Sequence, residues 1–166
     1  MKIYVIPFLA FLGLTSGCAS YHVGSIHDPG FKTIFIENFK SDVDEPGLEN
    51  LVTTTVIKEF QRDGTIEVTS ADLADVILRG RITSYELSPV RFSRSDEITP
   101  IETSLTIGVH YTLTKRNQTK PFVESQASGN RSFFIGNDLQ SDKRQGVPLA
   151  AEVLARQIVA NLADGW

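Results

Sequence analysis

Val76-Ile77-Leu78-Arg79-Gly80-Arg81-Ile82-Thr83-Ser84-Tyr85-Glu86-Leu87 lies near the middle of the chain, and its pattern decides how the rest is read. Side chains alternate across an extended chain, so Val76, Leu78, Gly80, Ile82 and Ser84 take one face and Ile77, Arg79, Arg81, Thr83 and Tyr85 the other. This period of two selects a strand with one wet face. Residues 104–115 alternate more cleanly, setting Leu105, Ile107, Val109, Tyr111 and Leu113 against Thr106, Gly108, His110, Thr112 and Thr114. A turn at 117–120 leads into residues 122–135, a further strand with Gly129 near its middle as a candidate bulge. Three consecutive antiparallel strands result.

Working outward, residues 33–39 hold Ile34, Phe35, Ile36 and Phe39, apolar on both faces, as a strand in a sheet interior does. Leu48, Leu51, Val52, Val56 and Phe60 recur at helical spacing and stop before Gly64, and the carboxylates of Asp42, Asp44 and Glu45 suit the positive end of that helix. Residues 66–68 form a short strand. Residues 88–103, bracketed by Pro89 and Pro100, read as a long loop of the functional kind. After a second loop over 136–146, Pro148 opens a helix in which Ala150, Leu154, Ile158 and Leu162 recur every four residues. The expected fold is α+β, in β-α-β-β-β-α order: an antiparallel or mixed sheet of about four to five strands with both helices packed on one face.

The 166 residues, 41% of them hydrophobic, suffice for one domain. Sixteen basic against twenty acidic residues, a net charge of −4, argue against a nucleic-acid partner, which calls for a basic face. The single cysteine excludes an internal disulfide and any cysteine-built zinc site.

Its position is informative. Lys2 precedes an apolar run over 3–14, followed by Thr15, Ser16, Gly17 and Cys18. The run is shorter than the roughly 20 apolar residues of a spanning helix and reads as a secretory signal. Small residues directly before Cys resemble the bacterial lipobox, in which the thiol is acylated, by palmitate for example, and the signal is cut away; Thr15 departs from the Leu usual there. The expected organisation is a signal peptide at 1–17, a lipidated tether at 18–32 and one domain at 33–166. Ala19 in place of Asp resembles lipoproteins sent to the outer membrane, which puts the domain on its periplasmic face.

The search for chemistry returns little. Neither a nucleophile elbow nor a free thiol beside a base is present, so no catalytic residue is assigned. His22, His27 and His110 are scattered, and His110 reads as a solvated residue on the wet strand face, so neither metal nor cofactor is expected. No glycine-rich phosphate loop opens either helix. Arg79 and Arg81 on one strand face, with Arg91, Phe92 and Arg94 in the loop after it, are the residue types that hold a phosphorylated lipid headgroup, or else ordinary solubilising charge.

Ala74-Asp75-Val76-Ile77-Leu78-Arg79-Gly80-Arg81-Ile82-Thr83-Ser84-Tyr85 resembles the second-strand motif of the lipopolysaccharide-assembly lipoprotein family, LptE. Tyr21 soon after Cys18, the strand at 34–39, Pro46-Gly47-Leu48-Glu49 opening a helix and the alanine-rich last helix are similar to it in order; Ser41 departs from the family's Asn. The resemblance implies a non-enzymatic plug inside the outer-membrane β-barrel LptD, assisting lipopolysaccharide assembly and its passage to the outer leaflet. Its ligand residues do not align onto particular arginines here. The competing readings are a periplasmic lipoprotein docking on a peptidoglycan synthase or secretion pore, and a lipid-anchored hydrolase.

Overall fold

The computed structural model describes residues 30–94, 98–136 and 139–163. The signal segment, Cys18 and the tether as far as residue 29 lie outside the described residues.

Strand β1 (Thr33–Ile36) buries Ile34 and Ile36 and turns Phe35 to the other face, where it is half-buried. The strand expected over 33–39 therefore ends at Ile36, and a second short strand follows just beyond the run. After Ile36 the chain steps over Phe39 into β2 (Lys40–Ser41), and both pair in parallel with β4 (Val76–Phe92). Helix α1 (Leu48–Asp63) buries Leu48, Val52, Val56 and Phe60 along one stripe and ends at Gly64, whose φ of 75° lets its N–H reach Phe60 O at 3.0 Å. It opens at Gly47 with no side-chain cap. Of the acidic residues assigned to this helix end, Asp42 is instead engaged by Arg81 across the sheet.

Among the described residues the sheet has six strands, in the order β3 (Glu67–Val68), β1, β4, β5 (Pro100–Lys115), β6 (Val123–Phe134), with β2 beside β4. Helix α2 (Leu139–Ala163) packs over β6 and against α1, on the same face of the sheet. The core between helices and sheet joins Leu78, Ile82, Leu105, Ile107, Tyr111 and Leu113 to Val52, Phe60, Leu154 and Ile158, each fully or almost fully buried. Phe31, which the sequence reading left in the tether, is part of it.

Four features differ from the sequence reading, each for a local reason. The expected loop at 88–103 is mostly strand, for β4 runs on to Phe92 and β5 begins at Pro100. A register shift between Ile82 and Ser84 adds one residue to β4, so Tyr85 and Leu87 return to the core side opposite Ile107 and Leu105 instead of joining the arginines. Gly129 is not a bulge: it pairs with Ile107 in unbroken register, and a Cβ there would stand 2.1 Å from Ala150 O, so its missing side chain lets α2 lie on the strand. Finally α2 starts at Leu139, with Gly146 and Pro148 inside it.

Candidate functional site

The face of the sheet away from the helices carries most of the polar side chains that the alternation sets apart. Asn130 on β6 donates from Nδ2 to Ser104 Oγ at 2.6 Å and Thr106 Oγ1 at 2.7 Å on β5, tying two strands through side chains. His110 Nε2 lies 3.1 Å from Glu124 Oε1, so the histidine expected to be solvated is half-buried beside a carboxylate. Arg79 and Arg81 also project here, two residues apart, and line a cleft of about 220 Å³ with Glu37, Lys40, His110 and Thr112. Each guanidinium is matched: Arg79 Nε lies 2.7 Å from Glu37 Oε2 and Arg81 Nη1 2.6 Å from Asp42 Oδ1. Both pairs are about half exposed, so they tie the β1–β2 segment to β4 at a small gain in stability.

Arg91 and Arg94 are elsewhere. Ten residues of strand separate Arg81 from Arg91, roughly 33 Å at the usual rise, so the four arginines cannot close on one headgroup. Arg91 Nη2 lies 3.2 Å from Glu102 Oε2, an ion-pair distance without hydrogen-bond alignment. Arg94 is exposed and has no carboxylate partner among the described residues. Phe92, already singled out with these arginines, is joined at the β4–β5 hairpin end by three apolar residues that the alternation did not single out: Val90, Phe92, Ile98 and Phe134 are 53%, 45%, 85% and 66% exposed. The available signal was the Phe133-Phe134 pair, which breaks alternation where β6 ends.

The opposite end of the sheet holds a cavity of about 730 Å³, where Gly30 leads into the domain. Lys32, Lys115 and Arg116 surround it, and Phe31 meets Phe122 edge to face at 6.4 Å. Asp75 organises this end. Its Oδ2 accepts from Lys32 N at 3.0 Å and Thr33 N at 3.1 Å, while Thr33 Oγ1 accepts from Asp75 N at 2.9 Å. The Lys32 N–H first, then the Thr33 groups, hold the carboxyl below its ordinary value of 3.8. No cluster of three or more His, Cys, Asp or Glu suited to a metal occurs among the described residues, and no helix among them is long and apolar enough to cross a membrane.

Solved structures share this fold. The PelC dodecamer of Paraburkholderia phytofirmans is similar with a TM-score of 0.53 at 12% identity, over 86% of this chain and 94% of that one. The minor lipoprotein of Acinetobacter baumannii gives 0.54 at 14%, over 81% and 94%. Protein CT253 of Chlamydia trachomatis gives 0.56 at 9%, over 78% and 94%. These likenesses define a class, one mixed sheet with helices on a single face. No curated protein matches the chain. A family model does: the lipopolysaccharide-assembly family LptE matches residues 31–162, and the chain belongs to that family, which is non-enzymatic.

Proposed function

We propose that the protein is anchored by lipid on Cys18 to the periplasmic face of the outer membrane, partners the β-barrel LptD from within its lumen, and presents a lipopolysaccharide-contacting end. The observation that carries this reading is the family match over residues 31–162, on a body whose uncovered sheet face is polar over most of its length. A polar face suits the water-lined interior of a large barrel. The end near Gly30 and the hairpin end lie about 50 Å apart along β4, so a domain tethered near Gly30 within the barrel holds its hairpin far from the point of attachment.

Copurification tests the partner. Extraction in mild detergent is expected to yield a stoichiometric complex with one large outer-membrane barrel; a lone monomer would sink the reading, and a penicillin-binding protein in its place would favour the docking alternative. Intact mass of the membrane-extracted protein tests the anchor, since it reports cleavage before Cys18 and the acyl chains together; an unmodified thiol removes the anchor from the proposal.

For lipopolysaccharide, Arg94, exposed and without a carboxylate partner among the described residues, and Arg91, which meets Glu102 at 3.2 Å without hydrogen-bond alignment, are better placed beside Phe92 and Phe134 than Arg79 and Arg81, which Glu37 and Asp42 hold at 2.7 and 2.6 Å. Replacing Arg91 and Arg94 together by Ala is expected to weaken saturable lipopolysaccharide binding by about tenfold. The double replacement of Arg79 and Arg81 should leave it within about twofold. The opposite ranking would move the contact to the sheet face.

A further inference from the structure

Strand β6 forms one border of the sheet for twelve residues, and among the described residues nothing pairs with its outer side. The direction of its backbone groups follows from one bond and the register. Ile135 N donates to Ile101 O at 3.0 Å, and pairing from Glu102 with Phe134 to Leu113 with Val123 is unbroken. Odd-numbered residues of β6 therefore point their amides at β5, and Gln126, Ser128, Asn130 and Ser132 point theirs outward. Natural sheets guard such borders with proline, lysine, bulges or a very short strand. β6 has none of these: it is long, unshifted, free of Pro and Lys, and carries one Glu and one Arg.

What lies on either side of the border defines what fits. On the open face the neighbours are the side chains of Gln126, Ser128 and Asn130, all polar. On the helix face, Gln157 of α2 lines the same groove as Gln126 and Ser128, so that flank of α2 stands beside the border. One and two turns before Gln157, along the same flank, are Val153, half-buried, and Leu149, 42% exposed. A second copy of the chain does not fit along the whole border. Helix α2 rides directly on β6, as the Ala150 O contact at Gly129 requires, and a paired copy would bring a second α2 over a strand only about 4.8 Å away, whereas packed helices need 8–10 Å.

We propose that β6 is a strand-accepting border whose occupant is an extended segment of another protein, about eight residues long, with alternating apolar and polar side chains and no helix of its own above it. Its amides complete the hydrogen bonds of Gln126, Ser128, Asn130 and Ser132, its apolar residues cover Leu149 and Val153, and its polar residues extend the open face. The inference rests on the border alone and stands whichever protein proves to be the partner.

The test uses the full-length protein in detergent and, as probe, an octapeptide of alternating Val and Thr with a terminal Lys, beside the same peptide N-methylated along one side. Amide hydrogen exchange is expected to be fast at Gln126, Ser128, Asn130 and Ser132 in the protein alone and to slow when the plain peptide saturates, but not with the methylated one. Ser128→Pro deletes an outward N–H without touching a bond to β5, so its circular dichroism and melting should stay near wild type while peptide affinity falls about tenfold or more. Ser128→Ala should stay within about twofold. Equal binding of the methylated peptide, absence of protection at these four residues, or unchanged affinity of Ser128→Pro would each overturn the proposal. So would amides already protected in the protein alone, which would mean that its own chain or a second copy fills the border.

Discussion

Asp75 shows how much one side chain in the Ala74-Asp75-Val76 motif organises: its carboxylate fixes the start of β1, and Arg116 N donates to its carbonyl, so two strands and the turn after β5 meet at one residue. Because its folded-state pKa is lowered, the stabilisation is present above 3.8 and disappears as pH falls through the folded value. Urea midpoints taken from about pH 6 to pH 2 should therefore drop less steeply for Asp75→Asn than for wild type, and parallel curves would show the carboxylate to be idle. Gly80 in the same motif is a packing residue: a Cβ there would fall 2.1 Å from the Phe39 ring, itself 1% exposed. Gly80→Ala should cost about 1–3 kcal/mol in chemical denaturation, because a buried ring has nowhere to move. Gly108→Ala meets only the Ser84 hydroxyl, which can rotate, and should cost less than about 1 kcal/mol. Tyr85 gives the opposite sign. Its hydroxyl is buried without a partner, and burial, with Glu45 adding to it, pushes the phenol up from 10.0. Tyr85→Phe should raise stability by about 1 kcal/mol; a loss would reveal a bond to that oxygen.

At the level of elements, Pro148 makes the sharpest prediction. It stands inside α2, where it removes one N–H and crowds the preceding turn, so Pro148→Ala should stabilise the fold by up to about 3 kcal/mol in a urea titration, with helicity unchanged or higher. The same proline explains what the sequence concealed. Gly146 and Pro148 look like helix breakers, yet the Phe133 ring occupies the space a Cβ at Gly146 would need, so tertiary packing keeps a residue of poor propensity in the helix. Pro89 misled likewise. Past the shift at Ile82, even-numbered residues of β4 face β5, so the missing N–H of Pro89 falls on the side where β2 has already ended. Pro100 is the first residue of its strand, the other position where proline is harmless. What the pattern did reveal, the alternation of β5 and the stripes of α1 and α2, was legible because burial on one face imposes a period that no local exception interrupts. The arginines were legible as residue types but not as a site, since spacing along a strand says nothing about which carboxylate waits on the next one.

For the molecule as a whole, the sheet is unevenly supported along its length. From Val76 to Ile82, β4 is flanked by β1 or β2 on one side and β5 on the other, above the core shared by both helices. Beyond Ile82 no strand follows on the outer side among the described residues, and by Phe92 the strand side chains are exposed. Local opening costs least where few apolar groups are buried and backbone bonds meet solvent, so a gradient of stability must run from the Asp75 end to the hairpin. Hydrogen exchange of the native protein checks this. The amides of Leu113, Tyr111 and Val109, buried at the supported end, should exchange only through global unfolding and share one denaturant dependence, while those of Thr103 and Ile101 should exchange through local fraying with almost none. Uniform protection along β5 would refute the gradient. If it holds, the end that carries Arg91, Phe92, Arg94 and Phe134 is also the end that can adjust its shape at small cost, and binding there should slow exchange at Ile101 and Thr103 far more than at Tyr111.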